Sequence, residues 1–348
     1  MDRFNFFHSF DYLKLDFVLI SLFTILSLSG LLILASASVH FSDLIYNSPT
    51  AIFNRQLIHF ILGTIGLVLF FLIPLNFWLT YDRLLLSLGF LLLLLVFIPG
   101  VGVEVNGANR WVRIAGFGLQ PSEVMKFLSV LYVSCYSVRR IKEIQSHWLG
   151  FFRPALIIVS VISVILIQPD LGSSAVIFVS VLGVLFVAGV KLKQFMIVAF
   201  LGCVGIFLMI ALVPWRWERI ISFIDPWSNP WSSGYQLTLS LMSIGRGDWF
   251  GVGLGEGIMK MGYLPDAHTD FIFSVIGEEF GFLGVLLLIS IYLFILFRCF
   301  YLALSARDRF CRLVIGGLSL TFAANLIINL CMVVGLLPVV GMPLPFIS

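Results

Sequence analysis

The chain has 348 residues, of which 60% are hydrophobic and 11% are charged, and its 35 phenylalanines exceed what one soluble core of this size requires. A net charge of +3, scattered among the loops, does not indicate a nucleic-acid surface. The five cysteines show neither CxxC nor Cys/His spacing, so the sequence predicts no disulfide framework and no zinc site.

Apolar stretches long enough to cross a hydrocarbon layer of roughly 30 Å recur along the whole chain. Lipid offers no partner to backbone N–H and C=O groups, and the stretches do not alternate as barrel strands do, so we expect helices. The sequence therefore predicts an all-α polytopic membrane protein, with residues 1–348 as a single integral membrane domain. The nine predicted spans are residues 16–36, 56–74, 84–100, 121–138, 154–168, 172–190, 194–213, 271–297 and 311–334.

Basic residues predict the orientation of these spans. With a cytoplasmic N-terminus, thirteen Lys or Arg residues fall on the inner side, whereas the short outer loops hold only Arg55, Arg110 and Arg113. Residues 214–270 then form one large external loop between the seventh and eighth predicted spans. We expect the polar residues that close this loop to lie on the outer face, away from cytosolic ATP.

A first polar cluster, NGANRWVRIAGFGLQPSEVMKF, covers residues 106–127 and leads into the fourth predicted span. Pro121 and Glu123 suit the first turn of a helix, and Glu123 and Lys126 are spaced as an i,i+3 ion pair. Ionisable residues inside a span often mark function. A capped helix with a salt bridge and a functional cavity are therefore both open.

Arg110, Trp111 and Arg113 precede that span. A cation beside an aromatic residue is typical of the belt at headgroup level. Alternatively, Arg110 and Arg113 face an anionic lipid headgroup, because a guanidinium binds phosphate oxygens through two hydrogen bonds.

Two further segments interrupt the pattern of spans. The turn IQPDLGSS leaves almost no loop between the fifth and sixth predicted spans and places Asp170 at a tight outer turn. The final segment, GLLPVVGMPLPFIS, holds three prolines and ends at Ser348 without a further helix. We interpret this end as a truncation before a last helix.

The external loop combines aromatic residues, turn formers and a helical central part. Its tryptophans could rest on the bilayer surface, as Trp215, Trp217, Trp227, Trp231 and Trp249 all lie in this segment. The stretch SIGRGDWFGVGLGEG contains six glycines, which allow close backbone approach to a ligand, although ordinary loops contain such stretches too.

The loop closes with YLPDAHTDFIFSVIGEEFGFLG, residues 263–284. Thr269 is predicted to cap the eighth predicted span, with Asp270 in its first turn, where the helix dipole favours a carboxylate. The direction of any pKa shift of Asp270 is open, because nearby cations lower the pKa and burial raises it.

Capping does not explain Glu278 and Glu279, which lie about 12 Å further along the helix at 1.5 Å per residue. An acidic pair at that depth needs partners, and we expect Lys126, Arg110 or water. The eighth predicted span would then share a polar cavity with the fourth, with Asp270 at the external mouth.

Six motifs occur in a characteristic order: GANRW at 107–111, QPSEVMK at 120–126, QPDLGSS at 168–174, GYQLTLSLMSIGRGDWFGVGLG at 234–255, LPDAHTDFIFSVIGEEFG at 264–281 and GLLPVVGMPLPFIS at 335–348. Together they resemble the SEDS family of bacterial cell-wall proteins, whose branches include FtsW in division and RodA in elongation. The resemblance runs from the first span to the last residue. The loop motifs are closer to the FtsW branch, and the final motif is closer to RodA.

The resemblance implies a SEDS-type helical bundle of ten spans, of which nine are present here. It implies a glycosyltransferase that polymerises lipid II, an undecaprenyl-diphosphate-linked disaccharide pentapeptide, into β-1,4-linked glycan during septal cell-wall synthesis. The protein is expected in the bacterial cytoplasmic (inner) membrane, with its active site on the periplasmic side. Expected partners are a class B penicillin-binding protein transpeptidase of the FtsI type and other division proteins.

The resemblance also implies roles for individual residues. The essential acidic residue of the family's HTD motif maps onto Asp270, which is implied to be the general base. Candidate contacts to the diphosphate or sugar of lipid II are Arg110, Trp111, Arg113, Arg246, Lys260, His268 and Thr269. The expected polar network of the cavity comprises Glu123, Lys126, Asp170, Glu278 and Glu279. A divalent cation, Mg²⁺ or Mn²⁺, fits the family's activity, but no acidic cluster indicates its ligands.

Three other functions stay open at this point. A RodA-type elongation polymerase has the same chemistry. A lipid II flippase would also use intramembrane charges and broken helices, although it would place them across the midplane rather than at one face. A scaffold that only recruits a transpeptidase would need none of these polar residues for glycan synthesis.

Overall fold

The computed structural model describes residues 15–105, 107–114 and 117–348. The basic residues Arg3 and Lys14 and the motif residue Asn106 therefore lie outside the described residues. The described helices are α1 (Phe17–Tyr46), α2 (Ala51–Leu72), α3 (Leu75–Leu95), α4 (Pro121–Arg139), α5 (Ile141–Ser146), α6 (Trp148–Ile167), α7 (Leu171–Val187), α8 (Leu192–Ala211), α9 (Pro214–Ile224), α10 (Tyr235–Gly247), α11 (Ile272–Ser305) and α12 (Arg309–Val333).

Local sequence signals begin and end several of these helices. Pro121 occupies the first turn of α4, where its missing N–H costs nothing. Asp16 and Asp170 accept hydrogen bonds from backbone N–H groups at the starts of α1 and α7, at 3.0 Å in both cases. Asn47 ends α1 in the left-handed region, with φ of 49°.

Each of the nine predicted spans overlaps one of these helices, and the prediction of an all-α multi-pass membrane protein is confirmed. In the described part of the chain, seven helices are long and apolar enough to cross a membrane: α1, α2, α3, α6, α8, α11 and α12. The other two predicted spans correspond to α4 and α7. α7 is apolar but has only 17 residues, whereas α4 is less apolar and most of its residues are buried by other helices.

Two apolar clusters hold the bundle together. One surrounds α4, α6 and α7 and includes Val130 and Ile165, both fully buried. The other joins α1, α11 and α12 to the C-terminal segment, with Tyr292 and Leu344 at its centre. α12 packs against α4, α7 and α11 and so connects the two clusters.

A small antiparallel sheet precedes α4 and was not predicted. Its strands are β1 (Gly102–Val105), β2 (Ala108–Ile114) and β3 (Phe117–Leu119), with β2 in the middle. The predicted spans depend on long apolar runs, which these short strands lack. Because side chains alternate between the faces of a strand, the sheet decides which residues of the GANRW motif share a face.

The long segment 214–270 contains α9 and α10, which confirms its predicted helical part. Its glycine-rich stretch fills a break in α11 at Gly281, where φ is 65° and ψ is −165°. The N–H groups of Val252 and Gly253 donate to the carbonyls of Glu278 and Glu279 at 2.9 and 3.0 Å. The glycines therefore permit close approach to the backbone of α11.

The C-terminal segment 335–348 packs into the second cluster. The carbonyl of Pro345 accepts a hydrogen bond of 2.5 Å from the Tyr292 hydroxyl. A Cβ placed on Gly30 of α1 would lie 2.6 Å from the carbonyl oxygen of Phe346, so the two backbones are in direct contact. This segment and the loop before α11 meet at Asp270.

Candidate functional site

Asp270 lies in a turn just before α11 and not within the helix. The helix begins at Ile272, and the Oγ1 of Thr269 donates to the carbonyl of Asp266 at 3.2 Å. The N–H groups of Thr269 and Phe271 also donate to that carbonyl. The prediction that Thr269 caps α11 with Asp270 in its first turn is therefore wrong. The Phe271 N–H group, which a Thr269 cap would bind, donates to the Asp266 carbonyl instead.

The side chain of Asp270 is half-buried but free. Among the described residues, its carboxylate oxygens accept no hydrogen bond and form no ion pair. Its backbone carbonyl accepts a hydrogen bond of 2.9 Å from Asn329 of α12. Gly341 faces the carboxylate so closely that a Cβ there would lie 3.2 Å from Oδ2. A free carboxylate in a narrow space is suited to accept a proton.

Burial, and secondly the charge of Asp266, raise the pKa of the Asp270 carboxyl to about 6, and the positive charge of Arg110 opposes this shift. The pKa of Asp270 therefore shifts upward, a direction that the sequence left open. With this pKa, about 90% of the carboxyl is ionised at pH 7. A general base works best with a pKa close to the operating pH.

Three arginines line a pocket beside this turn, and we call it the arginine pocket. Arg110, Arg216 and Arg219 surround a cavity of about 40 Å³, which is open to solvent, together with Trp215 and apolar side chains. Within the described residues, none of the three forms an ion pair with a carboxylate. Their hydrogen bonds go to the carbonyls of Gln168, Pro169, Met209 and Val339.

The arginine pocket and Asp270 share one wall. Pro338, Val339 and Val340 line the pocket, and the next residue, Gly341, contacts the Asp270 carboxylate. Asp270 itself does not line the pocket. The unpaired arginines and the free carboxylate therefore lie on either side of the same short stretch of C-terminal backbone.

The side chains of Arg110 and Arg113 lie on opposite faces of the sheet. Both lie on β2, three residues apart, and side chains an odd number of residues apart point to opposite faces of a strand. Arg110 is half-buried in the pocket, whereas Arg113 is exposed. Trp111 packs beside Gly118 of β3. The structure therefore does not bring the two arginines together on one headgroup.

Lys126 and Arg110, the two cations predicted as partners of the acidic pair, do not contact it. Glu278 accepts hydrogen bonds from Arg246 at 3.2 Å and from the N–H groups of Ile258 and Met259 at 2.9 and 3.2 Å. The ammonium group of Lys260 donates to Glu279, which also accepts from the Ser36 hydroxyl of α1. The loop supplies these partners because the break at Gly281 admits it to the surface of α11.

This pairing also bears on the two loop cations. Lys260 is buried and already neutralised by Glu279, and Arg246 is partly exposed but paired with Glu278. Neither lines the arginine pocket. Their expected contact with the diphosphate of lipid II is therefore not supported by where the structure places them.

The ion pair predicted in α4 is present. Lys126 donates to Glu123 at 2.7 Å and to Asn325 of α12 at 3.0 Å. Asp170 accepts hydrogen bonds from the Ser122 hydroxyl and the Gln120 amide, which ties the turn before α7 to the start of α4. The predicted single cavity thus separates into two polar groups, one on α4, α7 and α12 and one on α1, α10 and α11.

His268 lies beside Asp270 in sequence and stacks on Phe41 of α1, with ring centroids 4.5 Å apart. Burial lowers the pKa of the His268 imidazole, which the charge of Asp266 partly opposes. The ring is therefore neutral at pH 7 and can donate one hydrogen bond and accept another.

Sequence reasoning missed three residues of this region. Arg216 and Arg219 were noted only as charges of the long loop, yet their i,i+3 spacing after Pro214 would place both on one side of a helix. Asn329 gave no signal beyond its position in an apolar span. Its contact with Asp270 depends on the fold.

The donor set does not fit a resident divalent cation. In the part of the chain that the structure describes, no three His, Cys, Asp or Glu side chains are grouped so as to hold a metal ion. Asp266 and Asp270 alone offer fewer protein oxygens than Mg²⁺ or Ca²⁺ sites usually combine. We derive no step through such an ion.

Comparisons with known proteins agree with this architecture. The family model of FtsW/RodA/SpoVE cell cycle proteins matches residues 16–348. A probable peptidoglycan glycosyltransferase FtsW of Saccharophagus degradans is 39% identical over 338 residues, which cover 96% of this chain and 87% of the relative. One of Aliivibrio salmonicida is 40% identical over 326 residues, covering 93% of this chain and 81% of the relative.

Solved structures share the fold. A chain in a structure described as structural coordination of polymerization and crosslinking by a peptidoglycan synthase complex has 28% identity and a TM-score of 0.80, over 97% of this chain and 92% of that one. The rod shape determining protein RodA of Thermus thermophilus has 27% identity and a TM-score of 0.71, over 97% and 91%. With a family model that matches nearly its whole length, this multi-pass membrane protein belongs to the FtsW/RodA/SpoVE family.

Proposed function

We propose that this chain is a peptidoglycan glycosyltransferase of the FtsW type, acting in septal cell-wall synthesis. The names of its relatives and its likeness to a chain of a peptidoglycan synthase complex support this activity. The observation that carries the proposal is the free carboxylate of Asp270, whose pKa of about 6 leaves it ionised but basic at neutral pH.

Lipid II is the proposed substrate, as both donor and acceptor. The Asp270 carboxylate takes the proton of the acceptor's GlcNAc 4-hydroxyl while that oxygen attacks the anomeric carbon of the donor's MurNAc. The bond from this carbon to the diphosphate oxygen breaks, and the lipid diphosphate leaves with the electron pair. Attack opposite the leaving group inverts the anomeric centre. No ATP is required, because the diphosphate is already a good leaving group.

Other predicted contacts fit this scheme to different degrees. His268 and Thr269 directly precede Asp270, so a neutral imidazole and a hydroxyl are available to sugar hydroxyls. Trp111 and Arg113 are proposed as outer contacts of the same substrate. Arg246, already paired with an acid, holds the loop in place in this scheme.

The polar groups of the bundle have a supporting role in this proposal. Asp170 fixes the turn whose carbonyls, from Gln168 and Pro169, hold the guanidinium of Arg110. Lys126 links α4 to α12, the helix that carries Asn329. The two connections position the arginine pocket and Asp270 relative to each other.

We place the protein in the bacterial cytoplasmic membrane, at the division septum, with a cytoplasmic N-terminus and Asp270 on the periplasmic side. The proposed partner is a class B penicillin-binding protein transpeptidase. The likeness to a complex that couples polymerization and crosslinking supports this pairing. The external loop and the lipid-facing sides of α11 and α12 are the proposed docking surfaces, and site-specific crosslinking in cells tests them.

Polymerisation of purified lipid II tests the catalytic role. The Asp270→Asn variant, assayed with the transpeptidase partner, should lose roughly 100- to 10,000-fold in rate, the usual contribution of a general base. Asp266→Asn, which removes a neighbouring charge, is the matched control and should remain active. Glycan formed at the normal rate by Asp270→Asn would contradict the proposal. Lipid II transport by either variant in vesicles without polymerisation would favour the flippase instead.

A further inference from the structure

The arginine pocket contains a cation whose charge is not balanced by the protein. Arg216 is only 7% exposed, and its Nε is buried without a hydrogen-bond partner among the described residues. One of its terminal nitrogens donates to the Met209 carbonyl at 3.0 Å. A buried charge without an opposite charge is costly, and a bound anion removes that cost.

A second arginine and an aromatic ring fix this cation in place. The guanidinium carbons of Arg216 and Arg219 lie 5.0 and 5.3 Å from the centre of the Trp215 ring, within the range of cation–π attraction. Arg219 also donates to the Val339 carbonyl at 2.9 Å. The two guanidiniums are thus held on one side of the pocket before any ligand arrives.

Arg110 enters the pocket from β2, whereas Arg216 and Arg219 enter it from α9. Arg110 donates to the carbonyls of Gln168 and Pro169 at 3.2 and 2.7 Å, which leaves one terminal nitrogen without a partner among the residues that the structure describes. Burial, and then the charge of Arg110, lower the pKa of the Arg216 guanidinium, so the two cations influence each other. Three mutually repelling cations around one space indicate an anion of more than one charge.

The rest of the pocket is apolar. Leu171, Ile210, Ile220 and Val340 contribute side chains to its wall. A hydrophilic anion such as free pyrophosphate would gain nothing from this surface, whereas a diphosphate attached to a hydrocarbon chain would bury the chain against it. The charges and the apolar wall therefore favour an amphipathic diphosphate.

We propose that Arg110, Arg216 and Arg219 bind the diphosphate of a polyprenyl-linked sugar, with Trp215 holding two of the three guanidiniums in position. The inference rests on the proposed glycosyl transfer, to which it adds the location of the diphosphate. Because the wall of the pocket continues through Val340 into Gly341, the bound diphosphate lies beside the Asp270 carboxylate. Guanidinium groups at that point stabilise the charge that develops on the leaving group.

Binding of farnesyl diphosphate to the full chain in phosphatidylcholine nanodiscs tests the proposal without any turnover. We expect saturable quenching of tryptophan fluorescence, and the part due to the pocket should disappear in Trp215→Phe. Arg219→Gln, at the open side of the pocket, should weaken binding at least tenfold, and Arg216→Gln should weaken it further. Arg55→Gln, at a residue that contacts Tyr46 and does not line the pocket, is the matched control and should bind normally.

The source of the anion is decided by competition. Farnesyl monophosphate and inorganic pyrophosphate should each compete at least tenfold more weakly than farnesyl diphosphate. If nanodiscs of phosphatidylglycerol abolish binding, the pocket holds a phospholipid headgroup and the proposal is wrong. Unchanged farnesyl diphosphate affinity in both Arg216→Gln and Arg219→Gln would also overturn it.

Two outcomes separate this inference from the proposed function. Asp270→Asn should bind farnesyl diphosphate with unchanged or tighter affinity. If that variant still polymerises lipid II while the arginine variants lose binding, the general base is wrong and the diphosphate site stands. If Asp270→Asn is inactive while the arginine variants bind normally, the diphosphate site alone fails.

Discussion

Replacing Asp270 with Asn should inactivate the protein and at the same time stabilise it, in a way that depends on pH. The folded protein raises the pKa of this carboxyl from 3.8 to about 6, chiefly through burial. The folded state therefore holds the proton more tightly than the unfolded state, and stability falls as the pH rises through this interval. Asn has nearly the same shape and carries no charge, so it avoids the penalty.

The size of the effect follows from the shift in pKa. A shift of about two units, at about 1.4 kcal/mol per unit, costs the folded state at most about 3 kcal/mol at pH 8, where the carboxyl is ionised in both states. At pH 5 the folded state is mostly protonated, and the cost is about 1.5 kcal/mol. The stability gain of Asp270→Asn should therefore shrink by about half between pH 8 and pH 5.

The stabilities of the unchanged protein and of Asp270→Asn are compared by thermal unfolding in detergent at pH 8 and pH 5. Lipid II polymerisation by the same samples measures their activity. Asp266→Asn, which keeps the Asp270 carboxylate but removes the smaller cause of its shift, should gain less stability than Asp270→Asn. A gain in stability that is equal at pH 8 and pH 5 would refute the reasoning from the pKa. A loss of stability at both values would show that the carboxylate has a structural partner.

Three further changes test other parts of the structure. Asp266→Asn should lower the pH at which kcat/KM is half-maximal, because the charge of Asp266 raises the pKa of Asp270; an unchanged pH profile of polymerisation would contradict this. Glu279→Gln should destabilise the protein by about 3–5 kcal/mol in thermal unfolding, since it leaves a lysine buried without its counter-charge. Gly281→Ala should abolish folding, because a Cβ would lie 2.3 Å from the nitrogen of Gly251. The yield of monodisperse protein on size exclusion measures this, and Gly66→Ala, where a Cβ meets no atom within 4 Å, should leave that yield unchanged.

The sequence predicted the membrane helices well because their signal is local. An apolar run of sufficient length must form a helix in lipid, and α8 at Leu192–Ala211 lies within two residues of the predicted span 194–213. The ion pair of Glu123 and Lys126 was predictable for the same reason, since i,i+3 spacing on a helix brings two side chains together whatever the rest of the chain does.

The contacts of the long loop, residues 214–270, were not predictable in this way. Whether Lys260 reaches Glu279 depends on the break at Gly281 and on a run of glycines in positive φ, which bring together residues that a continuous helix would keep apart. The sheet was not predicted because its strands are short. The placement of Arg110 and Arg113 on opposite faces was therefore not predicted either. A prediction of strand structure alone would have separated those two arginines.

The interruption of α11 at Gly281 has a consequence for how the molecule opens and closes on slow timescales. Beyond the break, the amides of Phe282 and Leu283 donate to the carbonyls of Asp248 and Trp249 instead of to the preceding turn. Deuterium uptake at these two amides therefore reports on detachment of the loop before α11, and not on fraying of a transmembrane helix. A ligand or subunit that clamps the loop should slow isotope exchange there while leaving the inner half of α11 unaltered.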